Sequence, residues 1–165
     1  MNNGLLESRD EYLLSNFERA LTGGRIAIYS QAVVRASNGK VCEEELLVRW
    51  EDPVLGVLNP NDFVPVLERN GLVERLDLYI VEKALENIKK QADVGVNIAT
   101  TSINISLLDF QNQNFVKEIE SRVCASNIPK SKIAFELSES TALIDNHETA
   151  TQLLKLKKFT MHNMM

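Results

Sequence analysis

Val41-Cys42-Glu43-Glu44-Glu45-Leu46-Leu47-Val48-Arg49-Trp50 is the stretch from which the fold is read. It reads as a β-strand. Period-2 alternation puts Glu45, Leu47 and Arg49 on one face and Leu46 on the other. Before it, residues 25–35 (RIAIYSQAVVR) are rich in β-branched and apolar residues and also read as a strand. Ser37-Asn38-Gly39 supplies the turn between them, so the two form a hairpin. Further upstream, residues 5–21 read as an amphipathic helix. Leu13, Phe17, Ala20 and Leu21 share its apolar face, and Gly23-Gly24 end it.

Downstream, Asn59 stands as a cap before Pro60 at the first position of a helix. Phe63, Val64 and Leu67 follow at helical spacing, and Asn70-Gly71 closes that segment. Residues 73–90 form a longer helix with Val73, Leu76, Ile80, Ala84 and Ile88 on its buried stripe. A strand at 96–106, a helix at 114–125, a strand at 132–138 and a helix at 147–158 complete the pattern. From residue 41 onward, strand and helix alternate, the mark of βα units on a parallel sheet. Residues 41–50, 98–106 and 132–138 are expected to be neighbouring parallel strands, with 26–34 antiparallel at the edge. Four strands are about half of a (β/α)8 barrel, which typically takes about 250 residues.

The 165 residues fit one domain, and 44% hydrophobic with 25% charged residues is enough apolar material for a core. A net charge of −5 argues against a general nucleic-acid binder, whose affinity needs a basic face. No apolar run is long enough for a membrane segment, and the acid-bearing start shows no signal peptide. Cys42 and Cys124 lack metal or redox spacing, so buried reduced thiols and a cytoplasmic location are expected. His147 and His162 are the only histidines, which argues against histidine-based zinc or catalytic chemistry.

Polar residues inside two later strands point to a site. In Ser102-Ile103-Asn104-Ile105-Ser106, the isoleucines take one face and Asn104 the other. In Ile133-Ala134-Phe135-Glu136-Leu137-Ser138, Phe135 and Leu137 oppose Glu136. With Ile103, Ile105, Phe135 and Leu137 under the helices, Asn104 and Glu136 face the opposite side near the C-terminal strand ends, where such sheets place their chemistry. Two carboxylates and an amide oxygen are a hard-oxygen set suited to Mg²⁺, Mn²⁺ or Ca²⁺ rather than zinc. Ordinary surface or salt-bridged groups at strand ends would give the same spacing.

The separate motifs together resemble one family. Glu45-Leu46-Leu47-Val48-Arg49-Trp50, followed by Pro53, Gly56, Pro60, Phe63, Glu68 and Gly71, is similar to the stretch that names the EAL domains. Asn104-Ile105-Ser106 is similar to the family's Asn-Leu-Ser strand, and Glu136-Leu137-Ser138-Glu139 to its Glu-x-Thr-Glu strand. Gln31 stands where the family has a Gln-Pro pair. The resemblance covers residues 8–158. It implies an α/β fold, a partial TIM-like barrel of EAL type with about four strands and the first antiparallel. It also implies cyclic di-GMP as ligand and Mg²⁺ or Mn²⁺ as cofactor for phosphodiester hydrolysis, the cations polarising the phosphodiester and generating a hydroxide. Glu45, Asn104 and Glu136 would be metal ligands. Arg49 would hold a phosphate, Gln31 and Pro60 would line the guanine pocket, and Glu139 would support a loop.

Departures qualify this. Leu46 stands for the family's Ala, Ala32 for the Pro after Gln31, and Ser138 for a Thr. The family's Asp-Asp-Phe-Gly strand, and the lysine, glutamate and glutamine of later strands, have no counterpart here. The expected organisation is a truncated EAL-type domain: an N-terminal helix at 1–24, a half barrel at 25–158 and an atypical tail at 159–165. Met161, Met164 and Met165 in that tail read as out-of-frame residues after a truncation or frameshift, with an apolar plug as the other reading. The function expected is an EAL-family domain that is non-catalytic as written. The alternatives are a metal-dependent phosphodiesterase completed by another chain, and a cyclic di-GMP-binding regulator. Uncovered strand edges imply a homo-oligomer or domain-swapped dimer.

Overall fold

The computed structural model describes residues 8–96, 99–137 and 147–161. The first helix, α1 (Arg9–Thr22), starts at Ser8, whose Oγ accepts from the Glu11 N–H while its own N–H donates to the Glu11 carboxylate at 2.8 Å. That reciprocal cap fixes where the chain enters the helix. Leu13, Phe17, Ala20 and Leu21 are its buried residues, the stripe read from the sequence. A Cβ at Gly23 would lie 2.7 Å from the Arg19 carbonyl oxygen, so only glycine fits the end of this helix.

Strand β1 (Ile26–Val34) pairs antiparallel with β2 (Val41–Asp52), as the hairpin signal requires. A three-residue strand that the sequence did not announce, β3 (Gly56–Leu58), folds back on the end of β2. Helix α2 (Pro60–Arg69) opens on its proline, and its start is held by the Asp62 carboxylate, which accepts from the Asn59 N–H at 2.9 Å. Helix α3 (Val73–Asp93) runs three residues further than expected. Strand β4 (Thr100–Ile105) begins later than the expected 96, because a turn through Val94 and Gly95, at φ 73°, first has to end α3. A 3-10 turn (Leu107–Gln111), α4 (Phe115–Ser126), a second 3-10 turn (Lys130–Lys132), β5 (Ile133–Leu137) and α5 (His147–Met161) follow. Helix α5 continues through Phe159, which packs on the core and lies 3.7 Å below the Lys130 ammonium.

The sheet order is β1-β2-β4-β5, with β2, β4 and β5 mutually parallel and β1 antiparallel at the edge, as expected. The helices cover one face. Trp50 is fully buried between Phe17 of α1 and Phe63 of α2, with ring centroids 6.1 and 5.6 Å away. Tilted and edge-on aromatic contacts of this kind add about 0.5–1.5 kcal/mol each to the area they bury. Asp52 ties the end of β2 to this cluster, accepting from Tyr12 and from the N–H groups of Val54 and Leu55.

Two expectations about packing need correction. Leu137 is 44% exposed rather than buried under the helices: among the described residues it ends β5, which pairs with β4 on one side only. The cysteines are free but not buried: Cys42 is half-buried near the hairpin tip, and Cys124 is exposed on α4 beside the buried Val123.

Candidate metal and ligand site

Burial divides the strands as alternation demands. Leu46, Ile103 and Ile105 are buried under the helices. Glu45, Asn104 and Glu136 therefore share the opposite face. The β2–β4 ladder covers Glu43 to Glu45 and stops there, with Glu45 opposite Ser102. Past Glu45, β2 turns aside to pair with β3. Asn104, two residues beyond the last paired position of β4, reaches back across this gap. Its Nδ2 lies 3.4 Å from Glu45 Oε1, a long contact that leaves most of the Glu45 oxygens' coordinating capacity open. Asn104 is also the direct register partner of Glu136 on β5. Three oxygen-bearing side chains thus come from three adjacent strands onto one face. Neighbouring strands lie about 4.8 Å apart, so Glu45 and Glu136 flank Asn104 at two strand spacings.

The other expected residues stand around this row. Gln31 is the register partner of Glu45 on β1. Arg49 is four residues along β2 on the same face, and its Nη1 donates to the Val48 carbonyl at 2.7 Å. Pro60 opens α2 and lines a cavity of about 190 Å³ together with Leu46, Leu47, Asp77, Asn104 and Ser106. That cavity lies where β2 and β4 part. Glu139 lies outside the described residues. Among the described residues, no group of three or more His, Cys, Asp or Glu is set to hold a metal.

Beneath Asn104 lies a feature the sequence reading missed. Asp77 stands within the apolar stripe of α3, between Val73 and Ile80, and is only 4% exposed. Its Oδ2 accepts from the Ser106 N–H at 2.7 Å. The Ser106 Oγ donates to Glu68 at 2.7 Å and caps the following 3-10 turn through the Leu108 N–H. Asp109, inside that turn, is 2% exposed, and among the described residues no donor reaches either of its oxygens. Burial, and then the neighbouring Asp77, pushes the Asp109 carboxyl up to about 10. Burial also raises Asp77, to about 6. The signal for Asp77 was present as a carboxylate at a helical spacing that should be apolar. Asp109 left none, since a polar residue in a Leu-Leu-Asp-Phe run reads as a turn.

The EAL domain family model matches residues 15–161. The bifunctional diguanylate cyclase/cyclic di-GMP phosphodiesterase MucR of Pseudomonas aeruginosa is 28% identical over 133 residues, 81% of this chain and 19% of that protein. The cyclic di-GMP phosphodiesterase PdeR of Escherichia coli is 28% identical over 144 residues, 87% of this chain and 21% of that one. Among solved structures, a PaMucR phosphodiesterase in complex with c-di-GMP matches with a TM-score of 0.79 at 26% identity, over 90% of this chain and 60% of the other. The EAL enzyme Bd1971, in its cAMP- and cyclic-di-GMP-bound form, matches with a TM-score of 0.78 over 92% of this chain and 42% of the other; at 22% identity it speaks for the fold alone. The chain spans about a fifth of the length of these two curated relatives. Its fold corresponds to part of the barrel of the solved EAL domains.

Proposed function

This chain belongs to the EAL domain family, and on that premise we propose that Glu45, Asn104 and Glu136 form the protein's share of a divalent-cation site for cyclic di-GMP. The observation that carries the reading is the row itself: Asn104 contacts Glu45 on one side and is in register with Glu136 on the other. Mg²⁺ or Mn²⁺ fits because every potential donor is a hard oxygen. Bound there, the cation would polarise a phosphodiester oxygen and lower the pKa of a coordinated water.

The chain's own residues have separable tasks. Glu45 and Glu136 supply negative charge on both sides of Asn104. Arg49 supplies a planar fork of donors that suits a phosphate, once its contact to the Val48 carbonyl is exchanged for the ligand. Gln31 and Pro60 border the row where a guanine base would lie. The 165-residue polypeptide by itself is expected to bind and not to hydrolyse, because the paired aspartates and the lysine of the family pattern are not in this sequence. A phosphodiesterase completed by another chain is the second reading, favoured by β5 pairing on one side only among the described residues.

Titration calorimetry with cyclic di-GMP, with and without Mn²⁺, tests the proposal. Heat that requires Mn²⁺ and is lost in Arg49→Ala supports it. No heat under either condition refutes the ligand-binding reading and leaves the family assignment standing.

A further inference from the structure

We infer that Asp77 and Asp109 form a buried acid pair which holds one proton between them at neutral pH and, through Ser106, positions Asn104. The inference takes Asn104 as a site residue from the reading above, but its chemistry stands on other groups.

Asp109 supplies the first part. A carboxylate cut off from water must be paired, hydrogen-bonded or protonated. Among the described residues Asp109 has no donor at either oxygen, and the charged groups that act on it most are acids. The remaining way to satisfy it is a proton, donated to its acidic neighbour. That neighbour is Asp77, within hydrogen-bond reach. Two buried carboxyls this close do not both ionise. The charged groups acting on the pair are Glu68 from α2 and Glu74 from the first turn of α3, both acids. Glu74 is itself occupied by the Asn112 amide at 2.8 and 3.0 Å. From α5, which packs on the same 3-10 turn, the buried polar residues are the neutral Thr149 and Gln152, and Glu148 is bonded to Gln113.

Ser106 supplies the link. Its N–H is held by Asp77 and its hydroxyl by Glu68, so the corner after β4 is clamped from α3 and α2 together. Asn104 is two residues earlier on the same strand, and Asp77 and Asn104 line the same cavity. Protonating Asp77 weakens its acceptance from the Ser106 N–H, because hydrogen bonds to an ionised acceptor are about twice as strong as neutral ones. Asp77 and Asp109 act as positioning residues, through Ser106, and not on the ligand.

The test is carbon-13 carboxyl NMR on the full chain without metal, from pH 4 to 9. Asp77→Asn and Asp109→Asn assign the two signals. One carboxyl should titrate near pH 6, while the other keeps the upfield position of a protonated acid through pH 9. The Asn104 side-chain amide should shift with the midpoint near pH 6. That shift should vanish in Asp77→Asn and persist in Asp109→Asn, which is neutral at every pH. If both carboxyls titrate with the surface acids near pH 4, or if Asn104 stays still while Asp77 titrates, the inference is overturned. Should a variant fail to fold, triple-resonance assignment of the unaltered chain decides the same points. Mn²⁺ added afterwards separates the two readings: no effect on Asn104, with the titration as stated, removes the metal site and keeps the acid pair.

Discussion

Asn104 Nδ2 lies 3.4 Å from Glu45 Oε1, across the point where the β2–β4 ladder ends. The contact exists because β2 leaves β4 after Glu45 and turns to β3, so that a side chain beyond the last rung spans the opening. The contact is thus tied to strand divergence, and substitutions that alter the divergence should change it.

Leu46→Ala would bring the motif back to the family's Glu-Ala-Leu. Leu46 is 4% exposed on the helix-facing side of β2. Removing it should leave a cavity and cost about 2–5 kcal/mol. Chemical denaturation should show that loss, and cyclic di-GMP titration should show no compensating gain in affinity. A stability-neutral Leu46→Ala would mean that the helix layer relaxes around this position.

Stability should depend on pH in a direction set by the buried acids. Asp77 and Asp109 are raised from 3.8, to about 6 and about 10. A raised carboxyl stabilises the fold below its unfolded pKa, and that stability is lost as pH rises toward the folded value. Between pH 6 and 9 the chain should lose stability steadily as pH rises, because the unfolded carboxyl is already ionised while the folded Asp109 carboxyl still holds its proton. Asp109→Asn should be flat over the same range. Asp52 works in the opposite sense. Burial pushes it up, but the N–H groups of Leu55 and Val54 and the Tyr12 hydroxyl outweigh that and hold it below the usual range. Its contribution is lost as pH falls below about 4. Urea unfolding across pH should therefore show a maximum on the acid side of neutrality.

The sheet and its direction were legible because alternation and βα order are strong local signals. The stripe Leu13, Phe17, Ala20 and Leu21 and the faces of β2 and β4 read correctly for the same reason. Three things were not legible. β3 is three residues long and exists only because the freed edge of β2 can accept it. The exposure of Leu137 depends on what lies beside β5, which no local pattern encodes. The Asp77–Asp109 pair joins residues 32 apart in sequence, one of which looks like a helix residue and the other like a turn residue. That Glu45, Asn104 and Glu136 share one face of the sheet was readable from strand phase, while the clamp on Ser106 needed the packing of α2 and α3.

Self-association should follow from the open edge. Among the described residues, β5 pairs with β4 on one side only, and its Leu137 is exposed. Edge strands of this kind recruit another strand. Light scattering over a concentration series should give a mass above 18.6 kDa. A constant monomer mass at high concentration, with cooperative unfolding, would show that the edge is covered within one chain.

Hydrolysis of cyclic di-GMP by the 165-residue polypeptide alone should be negligible with Mn²⁺ present. Turnover in the ordinary enzyme range of about 1–10³ s⁻¹, abolished by Glu45→Ala, would contradict this.

Paramagnetic broadening by Mn²⁺ in amide NMR spectra tests whether Glu45, Asn104 and Glu136 hold one divalent cation. At substoichiometric Mn²⁺, the Asn104 side-chain amide and the backbone amides around Glu45 and Glu136 should broaden before all others, and Glu45→Gln should weaken the effect at least tenfold in Mn²⁺ concentration. Broadening centred elsewhere, or unchanged in Glu45→Gln, would contradict the assignment.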